Sequence, residues 1–161
     1  MSWYGHWHGY GWTGTPVSYA REGNRRPPYP VPPPPEAKEE DKARYRDAAN
    51  EFLTSNLPPL MTGHWLLKRN QSAEEFTWTN PESALAWLIK RHQESSPFEH
   101  ADGKAAYCAL EQKLEHAADA LPRGVDVSWV HYTRSQTMVS LSVVCCPNRF
   151  HPDIPCPFPP S

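Results

Sequence analysis

The sequence predicts an α+β domain: a four-stranded antiparallel sheet with helices on one face, in the order α-β-β-α-α-β-β, with irregular proline-rich ends. Three observations carry this expectation. Residues 125–146 alternate apolar and polar side chains with a period of two, and many are β-branched or aromatic, as a half-buried hairpin requires. Three other segments repeat apolar residues at helical spacing. The nineteen prolines gather at the two ends, which confines the packed body to residues 36–147. The implied layout is an aromatic tail over 1–26, a proline-rich spacer over 27–35, the α+β body over 36–147, and a Cys/His/Pro-rich tail over 148–161.

The first helix is expected over 36–57. Its opening turn is acidic, which suits the positive end of the helix dipole. Tyr45, Ala48, Ala49, Phe52, Leu53 and Leu57 form its stripe, and Pro58 and Pro59 stop it. Two strands are expected over 62–79, one holding Trp65, Leu66 and Leu67 and the other Phe76 and Trp78, with a turn at Asn70, Gln71 and Ser72. A second helix starts at Asn80, whose side chain can accept from free backbone N–H groups. Pro81 fits the first helical position, where its missing N–H costs nothing. Ala84, Leu85, Trp87, Leu88 and Ile89 follow, and Lys90 and Arg91 complement the C-terminal dipole. A third helix is expected over 102–121, burying Ala106, Leu110, Leu114, Ala117 and Leu121. In the closing hairpin, Val125, Val127, Trp129 and His131 share the face of Val139, Leu141, Val143 and Cys145. The opposite face carries Val130, Tyr132 and Met138 among serines.

The ends hold the residues with chemical promise. Trp3, Tyr4, Trp7, Tyr10 and Trp12 are the residue types that dominate interface hot spots. Glycines keep the segment around them loose, and the proline run extends as a polyproline rod. The expected function is therefore non-enzymatic: an adaptor, assembly or accessory subunit that docks a protein partner, or a second copy of itself, through these five aromatics. The alternative is a zinc-binding module built on Cys146, His151 and Cys156, since three such donors approach the four that a tetrahedral ion needs. Cys145 points to the other face of its strand and is expected in the core. His6 and His8, two residues apart, form a second pair able to chelate a metal. A small enzyme with a site assembled across the fold is the third reading. The sequence shows no catalytic residue set, no nucleophile elbow and no phosphate-cradling glycine loop.

Composition narrows the classes. A net charge of −2 disfavours nucleic acid as a partner. No apolar run approaches the roughly 20 residues that span a bilayer. Four cysteines without an apparent secretory leader suggest reduced thiols and a cytoplasmic location, with no cofactor expected beyond the zinc alternative.

Overall fold

The computed structural model describes residues 3–27, 31–99 and 109–161. It is a mixed α+β fold built on one four-stranded antiparallel sheet with six helices among the described residues. Strand β1 is His6–Gly14, β2 is Thr77–Trp78, β3 is Val127–Tyr132 and β4 is Met138–Cys146. In space they lie in the order β2-β1-β4-β3. The helices are α1 (Pro16–Tyr19), α2 (Glu22–Arg25), α3 (Glu39–Thr54), α4 (Thr62–Leu67), α5 (Pro81–Glu94) and α6 (Leu110–Ala120).

The closing hairpin forms in the expected register. Val127 pairs with Val143, Trp129 with Leu141 and His131 with Val139. These residues and Cys145 are buried in the main core, with Ala84 and Leu88 of α5 and Ala117 and Ala120 of α6 packed over them. Asn80 caps α5 as its sequence implies, accepting from the Ser83 backbone N–H at 2.8 Å. Buried His131 also has its hydrogen bond, with Nε2 donating to the Ser95 carbonyl at 2.6 Å. The start of the third expected helix, 102–108, lies outside the described residues.

The N-terminal segment corrects the reading of it as a detached tail. Residues 6–14 are a central strand, paired along their whole length with β4 from His6↔Cys146 to Gly14↔Met138. On the far side β1 pairs with β2 through Trp7↔Trp78 and His8↔Thr77. The glycines have a specific job here. A Cβ on Gly9 would sit 2.6 Å from the Trp78 ring and 3.3 Å from Trp87, and one on Gly11 would sit 3.1 Å from an Arg91 nitrogen. Their hydrogens let α5 and β2 lay large side chains directly on the β1 backbone. The strand thus alternates Trp7, Gly9, Gly11 and Thr13 on the α5 face with His6, His8, Tyr10 and Trp12 on the other.

Residues 62–67 form helix α4 rather than a strand. A short apolar run fits either state. The helix lets Leu66 and Leu67, 3 % and 2 % exposed, bury in the same cluster as Tyr10, Val144 and Cys146. In a strand those consecutive residues would point to opposite faces. Trp65 turns instead to Phe52 of α3, edge to face at 5.2 Å between ring centres. The second sheet face is therefore covered by α4 and the C-terminal segment, and Ser140 and Ser142 are buried on it.

Candidate metal centre

Three of the residues that converge at one end of the second face are set by the sheet. His6 and His8 share a side because strand side chains alternate. Cys146 lies directly across from His6. Cys145, its neighbour, points the other way into the main core. The fourth, Cys156, comes from the C-terminal segment, which is folded back by a local turn. The Asn148 side-chain oxygen accepts from the backbone N–H groups of Phe150 and His151, each at 3.1 Å. The Asn148 amide donates to Asp126 at 3.2 Å, and Asp126 also accepts from the Cys145 backbone N–H at 2.8 Å. Ile154 N–H donates to the His151 carbonyl, and Ile154 and Cys156 settle against Leu66, Leu67 and Tyr10.

The four donor atoms all lie within 4.8 Å of one another. His6 Nε2 is 3.1 Å from His8 Nε2 and 3.2 Å from Cys156 Sγ, and His8 Nε2 is 3.5 Å from that sulfur. Zinc bonds of about 2.0–2.1 Å to nitrogen and 2.3 Å to sulfur put tetrahedral donors about 3.3–3.8 Å apart. These three separations lie within a few tenths of an ångström of those edges, and Cys146 Sγ completes the set within 4.8 Å of the other donors.

The protonation pattern fits the same role. Thr77 Oγ1 donates its proton to the Ala73 carbonyl at 2.7 Å. Toward His8 it can therefore only accept, and His8 Nδ1–H donates to it at 2.9 Å. This relay fixes the tautomer and leaves the His8 Nε2 lone pair bare and aimed into the cluster. His8 is fully buried, and that burial, with the neighbouring His6, pulls its pKa down to about 4. Burial also lowers His6, so both imidazoles stand neutral, as ligands must. Burial and the Cys156 contact push the Cys146 thiol up to about 12. A coordinating divalent ion reverses that preference by binding the thiolate.

Replacing Thr77 with valine keeps shape and removes the acceptor. The expected result is a loss of about 10- to 100-fold in metal affinity, read by competition with a chromophoric chelator, together with a metal-free protein destabilised by about 1–3 kcal/mol because the buried His8 Nδ1–H loses its partner. An affinity equal to wild type would remove Thr77 from the site.

The residues singled out in the sequence are distributed unevenly. Cys146 and Cys156 are in the cluster. His151 is not: its ring stacks on His64 at 3.8 Å between centres. His6 and His8 take its place. The five aromatics expected to meet a partner mostly face their own chain. Trp7 is 5 % exposed and donates from Nε1 to the Leu121 carbonyl at 3.1 Å, and Tyr10 is buried with its hydroxyl on Ser72. Trp3 packs edge-on against Trp7 at 5.3 Å, and Trp12 lies beside Tyr19 at 5.9 Å. Tyr4 alone of the five projects into solvent, at 83 % exposure.

Four protein donors fill a tetrahedral ion and leave no position for water or substrate, which is the pattern of a structural site and not a catalytic one. Searches against known protein-family models, curated proteins and solved structures find no match to this chain, so the chemistry of the centre rests on its own geometry.

Proposed function

We propose that the chain is a non-catalytic zinc-binding module in which His6, His8, Cys146 and Cys156 hold a structural zinc ion. The ion joins the start of β1, the end of β4 and the C-terminal segment into one rigid body. The observation that carries this reading is the convergence of two imidazole nitrogens and two thiols within 4.8 Å of one another, three of them near tetrahedral spacing, with the His8 tautomer set for ligation. A mixed nitrogen and sulfur tetrahedron favours zinc among the common divalent ions. The role in the cell is then that of an accessory or assembly component. Trp7 and Tyr10 are buried, so docking a partner through them would open the core.

Elemental analysis of untagged protein expressed with added zinc is expected to give about one equivalent per chain. Cys156→Ser and His8→Ala should each lose it. Cobalt substitution should give thiolate-to-cobalt charge-transfer bands and the visible bands of a tetrahedral ion. Wild-type protein free of metal under these conditions overturns the proposal.

A further inference from the structure

The two sulfurs of this centre belong to the two segments that most need joining. Cys146 ends β4, and Cys156 sits ten residues on in a segment without helix or strand, so the ion bridges the sheet to its own cover. The imidazoles bridge the ion to β1, but β1 is already tied to β4 by a ladder of nine residue pairs. The thiolate half of the centre therefore makes the connection that no hydrogen-bond ladder duplicates.

We propose that Cys146 and Cys156 are interchangeable between two staples, coordinating zinc when reduced and forming a disulfide with each other when oxidised, so that the C-terminal segment stays docked in both states. This rests on the zinc reading above. The geometry supplies three reasons. The two sulfurs are within 4.8 Å of each other. Cys146 is held by β4 while Cys156 lies on irregular backbone, so the closure to about 2.05 Å falls on the part of the chain free to shift. Cys145, the thiol nearest in sequence, is fully buried on the opposite face with its sulfur near the Leu121 carbonyl, so it does not compete.

The chemistry balances with a peroxide as oxidant. Half-buried Cys156 is the more accessible thiolate. It attacks one peroxide oxygen, the O–O bond breaks, and hydroxide leaves behind a sulfenic acid. The Cys146 thiolate then attacks the Cys156 sulfur and expels a second hydroxide. Two electrons pass from the two sulfurs to the peroxide, two protons convert the hydroxides to water, and zinc departs as the divalent ion because only His6 and His8 remain to hold it. In a site where oxidation only removes ligands, loss of the metal frees the segment. Here the new bond links the same two segments.

Full-length zinc-loaded protein is treated with one equivalent of hydrogen peroxide, and zinc is followed with a chromophoric chelator. Cysteine state is mapped by non-reducing peptide mass spectrometry. Amide exchange is read at Phe150, His151 and Ile154, whose N–H groups hold the C-terminal turn. The expected result is one zinc released per Cys146–Cys156 disulfide. Exchange should be equally slow in the zinc-loaded and oxidised forms and at least about tenfold faster in reduced, chelated protein. Cys145→Ala should behave as wild type, and Cys156→Ser should lose protection in every state. Zinc released with sulfinic acids, with intermolecular disulfides, or with exchange as fast as in chelated protein overturns the interchange alone. Absence of zinc from the untreated protein overturns the metal reading and the interchange with it.

Discussion

A chain beginning at residue 15 is expected to show no cooperative thermal transition, with or without zinc. Strand β1 lies between β2 and β4, so its removal is not the trimming of an edge. Two-residue β2 loses its partner strand, β4 loses its nine-pair ladder, and the centre loses both imidazoles. Burial of Trp7 and Tyr10 also goes, at roughly 2–3 kcal/mol each. Against a total stability of about 5–15 kcal/mol for an ordinary domain, these losses leave little to hold the remaining strands. Circular dichroism melts of the two chains decide the matter. A sharp transition in the shortened chain would show that residues 1–14 are an appendage after all.

Trp7→Ala is expected to cost about 3–5 kcal/mol, the range for truncating a large aromatic in a packed core. Trp7 lies among Leu121, Val143 and Cys145 and its Nε1 hydrogen bond leaves the Leu121 carbonyl without that donor when removed. Trp12→Ala, on the other face and half-exposed beside Tyr19, costs no more than about 1.5 kcal/mol. Urea denaturation of the two variants at saturating zinc measures the difference. A larger cost at Trp12 than at Trp7 would place β1 one residue out of register, since such a slip exchanges its faces.

The elements that could be read from the chain were those whose signal is local. The hairpin of β3 and β4 carries its own alternation, and α5 carries its own cap at Asn80. The α+β class with a four-stranded antiparallel sheet follows from such segments. β1 hides its alternation because half of one face is glycine, and the side chains that fill that face belong to Trp78, Trp87 and Arg91. Without those neighbours, glycine between aromatics looks like loose chain. Residues 62–67 misled for a different reason, since six residues are too few for a period to show. The metal centre was half legible. Its donor types were visible as a His pair and a Cys-rich end, but no spacing rule joins donors 150 residues apart. His151 is near Cys146 and Cys156 in sequence, but the Asn148 turn sends it to His64.

The pairing of first strand with last has a consequence for how the molecule is made. During synthesis β1 emerges before either of the strands it pairs with. β2 follows only at Thr77, and β4 only at Met138. The ladder that forms the middle of the sheet must close the largest loop the fold contains, and contacts of such separation form slowly. Until β4 emerges, a strand bearing two tryptophans and a tyrosine lacks its long ladder, the condition in which nascent chains associate wrongly. The proposed zinc donors are divided in the same way, two in β1 and two at or beyond the end of β4, so capture of an ion by all four must wait until Cys156 has emerged.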